Sequence, residues 1–155
     1  MQRLFASAIL ALLISLSLSN PVGAETTAEN AIKYRHAVMG TLAGHTSAFS
    51  MIAFGMVDHP EFLQSHANAL ADAGAQLKML FPAGSGEGET HALPAIWEEP
   101  EKFAAAIDNA EKATANLRDA AASGDRKTIV SAFKALGQSC KGCHESYRED
   151  DDHDH

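Results

Sequence analysis

The two cysteines of the chain lie close together near its C-terminal end. Cys140 and Cys143 are separated by two residues and His144 follows directly, in the string SCKGCHE. Thiol and imidazole groups at this spacing can form a disulfide, bind a metal ion, act as a redox dithiol or attach a larger group. On a helix, residues three and four apart share a face, so the three side chains would project together.

These chemistries differ in what else they require. A disulfide across two residues closes a very small loop and removes little entropy from the unfolded chain. A structural zinc site needs four ligands, and a second paired motif is missing from the sequence. A thioredoxin-type dithiol opens a helix after a strand, which the sequence does not predict here. Cys-x-x-Cys-His is the attachment signature of c-type haem, so the motif favours one covalent haem.

The N-terminal segment has the three parts of a secretory signal. Arg3 is the positive end, Leu4 to Leu18 form an apolar run, and Val22-Gly23-Ala24 is a small-residue cleavage site. The run is shorter than the roughly 20 residues that span a bilayer, which argues against an uncleaved membrane anchor. We expect residues 1–24 to be a signal peptide, and the protein to be periplasmic without stable membrane insertion.

The charge of the chain argues against polyanionic partners. The sequence has 12 basic and 20 acidic residues, which gives a formal net charge of −8 with histidine neutral. Phosphate backbones would be repelled, and no basic patch with interleaved aromatic residues is present. Nucleic acid is therefore not an expected partner.

Apolar side chains recur at helical spacing in four segments. Helices are expected over residues 28–56, about 58–80, about 101–122 and about 126–148, with a long connection at 81–100 that holds three Pro and three Gly. This pattern predicts an all-α fold, an antiparallel four-helix bundle with one long crossover connection and a C-terminal haem-attachment helix.

The helix ends and the domain limits can also be read from the sequence. Thr26 and Glu29 would form a capping box for the first helix, and Asp125 would cap the last. We expect the bundle domain to cover residues 25–148. The Asp- and His-rich tail 149–155 is expected to be solvated and disordered.

Four strings along the chain resemble the class II c-type cytochromes, the cytochrome c′ and cytochrome c556 family. They are AIKYRHAVM in the first helix, FPAGSG and ALPAIW in the long connection, and CKGCHESYR at the end. In this family a signal peptide precedes four helices and the haem motif lies near the C-terminus. The resemblance implies one haem c, bound through Cys140 and Cys143, with His144 as the proximal iron ligand.

The same resemblance gives roles to two arginines. Arg35 corresponds to an arginine that lies against a haem propionate. Because it is flanked by Ile32 and Met39 on an apolar face, it needs an anionic partner; a solvated surface arginine is the alternative. Arg148 resembles a basic residue beside the proximal imidazole, one helical turn beyond His144, and a solvent-facing arginine is equally open.

Met39 is the residue on which the function depends. In the family this position faces the distal side of the haem. Members of the c556 type use a methionine there as sixth ligand, whereas the c′ type leaves the iron five-coordinate, in some cases with a methionine that does not bind. A methionine that fills core space is the competing interpretation. The residue type alone does not decide between them, and we favour ligation by Met39.

The other histidines are expected in ordinary roles on helix surfaces or in loops. They are His36, His45, His59, His66 and His91. His45 is of most interest, since it lies about one and a half turns beyond Met39 in the same helix. In the tail, His153 and His155 could hold Zn or Cu ions weakly.

The sequence therefore predicts a periplasmic c-type cytochrome that is not an enzyme and passes single electrons to redox partner proteins, with Met39 as sixth ligand. Its acidic surface would dock on a basic patch of the partner. The alternative is a protein that binds or sequesters NO or CO at five-coordinate iron, and a small peroxidase-like enzyme is a third hypothesis.

Family members often form homodimers through the first two helices. In this chain Phe49, Ile52 and Phe54 could belong either to the core or to such an interface.

Overall fold

Five α-helices form within residues 26–149, which are the residues that the computed structural model describes. They are α1 (Ala28–Ala53), α2 (Leu63–Gly74), α3 (Ala95–Glu98), α4 (Pro100–Ser123) and α5 (Arg126–Tyr147). The four longer helices make the bundle, and the described residues contain no strand beyond one isolated bridge. The predicted all-α four-helix bundle with one long connection is confirmed.

Two predictions concern residues outside this range. The signal peptide 1–24 and residues 150–155 of the tail are not among the described residues, so both stay predictions. None of the helices within residues 26–149 is long and apolar enough to cross a membrane.

The N-cap of α5 is the predicted residue, whereas the N-cap of α1 differs from the prediction by one residue. Asp125 caps α5 as predicted, and its carboxylate accepts a hydrogen bond from the Thr128 N–H at 2.8 Å. The N-cap of α1 is Thr27, whose Oγ1 accepts from the Asn30 N–H at 3.2 Å. The predicted capping box at Thr26 is therefore wrong by one residue, because Asn30 and not Glu29 occupies the third helical position.

The first two helices are shorter than predicted. α1 ends at Ala53, and the chain turns at Gly55, whose positive φ of 75° suits a residue without Cβ. The segment predicted as a single helix over 58–80 divides into 3-10 turns at Pro60–Phe62 and Leu77–Met79 on either side of α2. α2 stops at Gly74, which packs directly against Thr114 of α4 and leaves no space for a Cβ.

The long connection between α2 and α4 is fixed to the C-terminal end of α5. The Leu93 N–H donates to the Tyr147 carbonyl at 3.0 Å, and the Glu149 N–H donates to the His91 carbonyl at 2.8 Å. α3 lies in this connection and was not predicted, because one turn of helix is too short to show apolar periodicity. The connection is thereby held beside the residues of the cysteine motif.

Buried side chains form two clusters along the bundle. The cluster near the helix ends Ala53 and Arg126 includes Phe49, Leu70 and Leu117, all fully buried. The cluster near the cysteine motif includes Phe81, Phe103 and Tyr147, whose rings meet edge to face with centroids 4.9 and 5.0 Å apart. Aromatic pairs of this kind contribute about 0.5–1.5 kcal/mol each beyond area burial, which stiffens this end.

Candidate functional site

An apolar cavity of about 490 Å³ lies beside the second cluster, between α1, the long connection, α4 and α5. Its volume is within the range of roughly 300–1,000 Å³ that is usual for cofactor sites. Five of the six residues singled out in the sequence line it: Met39, Cys140, Cys143, His144 and Arg148. Its apolar walls come from Leu42, Leu77, Phe81, Ile96, Phe103 and Ile107.

α5 presents the cysteine motif to the cavity on one face, as helical spacing predicted. Cys140 and Cys143 are half-buried and both are free thiols. Burial raises the pKa of each thiol, and for Cys143 the neighbouring Cys140 raises it further. The apolar surroundings therefore disfavour a pair of thiolates that would bind a metal ion, and they suit the uncharged sulfur of a thioether.

His144 lies at the wall of the same cavity. Desolvation lowers the pKa of its imidazole, and the positive charge of Arg148 lowers it further. Both effects favour the neutral ring, which has a free nitrogen lone pair and is the form that binds metal ions.

Arg35 is buried beside the cavity, with 3% of its surface exposed. Nη1 donates to the Leu80 carbonyl at 3.1 Å and to Ser85 Oγ at 3.0 Å; Nη2 donates to the Ser85 carbonyl at 2.9 Å and to Thr90 Oγ1 at 2.7 Å. Burial lowers the pKa of the guanidinium. The alternative of a solvated surface arginine is wrong, because α1 faces the connection at this point.

The partners of Arg35 leave its charge uncompensated. All four acceptors are neutral, and no carboxylate among residues 26–149 pairs with it. Arg35 does not itself line the cavity, but Thr90, which accepts from it, and Phe81, whose ring centroid is 4.9 Å from its Cζ, both do. A buried, unpaired guanidinium is costly, so the site fits a ligand that brings an anionic group to this corner.

Met39 lies on α1 and lines the cavity across from the cysteine motif. Its side chain is half-buried and also packs against the hydrophobic cluster around Val38 and Leu77. It is therefore placed both to reach a bound group and to fill space, and the two interpretations stay open.

Arg148 is the C-cap residue of α5. The helix ends at Tyr147, and Arg148 follows with an extended backbone at φ −127° and ψ 138°. The helix stops here because residue 148 bridges to Ala92 of the connection. Arg148 still lines the cavity, and its N–H donates to the His144 carbonyl at 3.0 Å.

Two histidines at the cavity were assigned ordinary roles from the sequence. His36 and His91 both contribute to its lining. For His36 a signal was available, because it is three residues before Met39 and therefore shares a helix face with it. His91 lies in the irregular connection, where spacing carries no such information.

Comparison with known proteins identifies the family. Residues 30–148 match the family model described as Cytochrome C′. The chain belongs to the cytochrome c′ family. Members of this family carry covalent haem c, and the paired cysteines beside an apolar cavity in this structure fit that group.

The family contains relatives of more than one type. The chain is 35% identical to cytochrome c′ of Pararhodospirillum photometricum over 120 residues, which cover 76% of this chain and 95% of that protein. It is 36% identical to cytochrome c-554 of Cereibacter sphaeroides over 128 residues, which cover 79% and 96%.

Solved cytochrome c′ structures have the same fold. A nitric oxide complex of a variant from Alcaligenes xylosoxidans superposes with a TM-score of 0.76 at 26% identity and covers 82% of this chain and 99% of that one. A carbon monoxide complex of another variant from the same organism superposes at 0.74, with 80% and 98% covered at 26% identity.

Proposed function

We propose that this family member is a periplasmic electron carrier with one haem. One observation carries the proposal: Met39 of α1 and the Cys-x-x-Cys-His motif of α5 line a single apolar cavity. The bound haem would supply an iron that takes up and releases one electron. The residues of the chain would hold it, supply its axial ligands and limit access of water.

The residues of the Cys-x-x-Cys-His motif would attach the haem to the chain. Cys140 and Cys143 would form thioether bonds to the two vinyl groups, and His144 would give the proximal nitrogen to iron. The position of both cysteines at the apolar cavity suits the uncharged sulfur of a thioether, and the lowered pKa of His144 favours the neutral imidazole that binds iron. The positive charge of Arg148 would favour the neutral form of the His144 imidazole.

Arg35 would neutralise a haem propionate. Its buried guanidinium has four neutral acceptors and lacks a carboxylate partner among the described residues, and Thr90 connects it to the cavity. A charge-assisted bond to a carboxylate would offset the cost of burying this arginine.

Met39 would be the sixth ligand. A thioether opposite a histidine raises the reduction potential and excludes small ligands, both of which suit electron transfer. The acidic surface would dock on basic redox partner proteins, with an association rate that falls as salt rises. We place the protein in the periplasm, with residues 1–24 removed and the domain at 25–148.

The partner surface of a homodimer would be the α1–α2 side. Of the three residues considered from the sequence, Phe49 is fully buried and belongs to the core, whereas Phe54 is 46% exposed. Met51 of α1, which is 40% exposed, would extend this surface.

A second function is favoured by a different observation. The solved neighbours include complexes of cytochrome c′ with NO and CO. If Met39 only packs against the wall, the apolar residues beside it would leave the sixth position open to a small diatomic ligand such as NO or CO. The protein would then bind or sequester these gases and would have no enzymatic activity.

Spectra of the purified ferric and ferrous protein distinguish the two functions. A low-spin spectrum with a ferric sulfur charge-transfer band, unchanged when CO is added, supports Met39 ligation. A high-spin spectrum that shifts with CO contradicts it and supports gas binding. Attachment is tested separately, because covalent haem that persists after combined Cys140→Ser and Cys143→Ser would disprove the assigned cysteines.

A further inference from the structure

His45 of α1 and His66 of α2 face each other outside the lining of the haem cavity. Their Nδ1 atoms are 2.8 Å apart, and the ring centroids are 5.1 Å apart with planes inclined at 55°. Both side chains are partly buried, and neither lines the haem cavity. The haem assignment uses neither residue.

The short distance between the two Nδ1 atoms limits which imidazole nitrogens can carry a hydrogen. In the neutral pair, one Nδ1 must carry a hydrogen and donate it to the other. If both hydrogens sit on Nε2, two lone pairs point at the same space and repel. A cation between the nitrogens converts this repulsion into two bonds, and neutral imidazole is a common ligand for transition metals.

The separation fits a chelated ion. Zinc–imidazole bonds of about 2.0–2.1 Å at angles of about 90–110° set the two nitrogens roughly 2.9–3.4 Å apart. The observed 2.8 Å lies just below this range, so the two nitrogens are already spaced closely enough for one ion to reach both.

The helices fix the two rings before any ion binds. One turn after His45 lies Phe49, and one turn after His66 lies Leu70; both of these side chains are fully buried. Because their packing sets the rotation of α1 and α2, it keeps positions 45 and 66 facing each other across the two helices. Ligands held in place by packing lose less entropy when a metal binds.

We propose that His45 and His66 form a metal site for one divalent late transition ion, of the class of Zn²⁺, Cu²⁺ or Ni²⁺. Among residues 26–149 no group of three His, Cys, Asp or Glu side chains is assembled, so water fills the remaining coordination positions. Imidazole nitrogen suits these ions, whereas Ca²⁺ and Mg²⁺ require oxygen ligands. The ion connects α1 to α2.

Zinc titration of the haem-loaded full chain by calorimetry tests this proposal. His153 and His155 are both changed to Gln in every sample, so that the tail does not contribute histidine ligands. We expect one Zn²⁺ per chain, and an affinity that falls roughly 10²-fold in His45→Gln or His66→Gln, because a chelate is reduced to a single ligand. His59→Gln is the matched control, because His59 is an exposed histidine that is not part of the pair, and this variant should bind zinc as before.

A second measurement does not depend on the folding of these variants. Zn²⁺ should raise the thermal unfolding temperature of the protein with intact His45 and His66, because an ion that binds only the folded state stabilises it. An unchanged unfolding temperature at millimolar Zn²⁺ overturns the proposal, as does equal affinity in His45→Gln, His66→Gln and His59→Gln. With Cu²⁺, hyperfine splitting from two nitrogens supports it, and splitting from none contradicts it.

Discussion

Ser85 holds the guanidinium of Arg35 from two sides, with its hydroxyl 3.0 Å from Nη1 and its carbonyl 2.9 Å from Nη2. Ser85 is itself fully buried, in the connection between α2 and α4. Because the two residues are 50 positions apart, this contact closes the connection over the first helix. It fixes the connection and positions a positive charge next to the cavity at the same time.

Replacing Arg35 by Gln should strongly destabilise the haem-loaded protein. The buried Leu80 and Ser85 carbonyls would lose their donors, and unsatisfied buried acceptors cost about 1–3 kcal/mol each. We expect a loss of roughly 2–4 kcal/mol in urea unfolding. Arg118→Gln is the control, since Arg118 is exposed beside Asp119 and should change stability by less than about 1 kcal/mol. Equal losses in both variants would contradict the structural role of Arg35.

Replacing Met39 by Ala should convert the haem iron to the high-spin state. The sulfur that we assign as sixth ligand is removed, and alanine cannot bind iron. The change is read from the absorption spectrum and from the appearance of CO binding. Met79→Ala is the matched control, because Met79 is 70% exposed and does not line the cavity. An unchanged spectrum in Met39→Ala would mean that Met39 serves packing alone.

Two glycines in helices should respond in opposite directions to alanine. A Cβ at Gly74 would collide with Thr114, a β-branched and buried side chain, and overpacking of this kind costs about 1–3 kcal/mol. Gly44 in α1 has open space around its Cβ position, so Gly44→Ala should stabilise by roughly 0.5–1 kcal/mol. Thermal unfolding of the two variants checks both signs. If Gly44→Ala is also destabilising, the space around the Cβ position does not determine the sign of the stability change at these glycines.

The local features of the site could be predicted from the sequence. Helical spacing alone puts Cys140, Cys143 and His144 on one face, and apolar periodicity gives the four long helices. The backbone bridge between Arg148 and Ala92, in a remote segment, could not be predicted in this way. Local periodicity carries no information about such a bridge.

Contacts between distant segments could not be predicted. The acceptors of Arg35 lie 45 to 55 residues away in an irregular connection, where no period exists to fix their orientation. His45 and His66 meet across 21 residues for the same reason, since the rotation of both helices depends on the buried core. The sequence indicates that Arg35 needs an anionic partner and that His45 shares a helix with Met39, but it does not show which residues either of them contacts.

Asp125 should make the stability of the protein depend on acid pH. Its carboxylate accepts hydrogen bonds from the hydroxyl and backbone N–H of Thr128, which hold the pKa of Asp125 below its ordinary value. A lowered folded pKa contributes stability that is complete above the unfolded value of about 3.9 and is lost as pH falls through the folded value. Asparagine also caps helices but does not ionise, so Asp125→Asn isolates the contribution of the charge.

We therefore expect Asp125→Asn to unfold at a lower temperature than the unmodified protein at pH 7, with a difference that narrows as the pH falls below about 3.9. Asp125→Ala should unfold at a still lower temperature at pH 7, because it loses the hydrogen bond as well as the charge. Thermal unfolding followed by circular dichroism between neutral and acid pH measures all three proteins. A difference between the unmodified protein and Asp125→Asn that stays constant across this range would show that the cap acts through its hydrogen bond and not through ionisation.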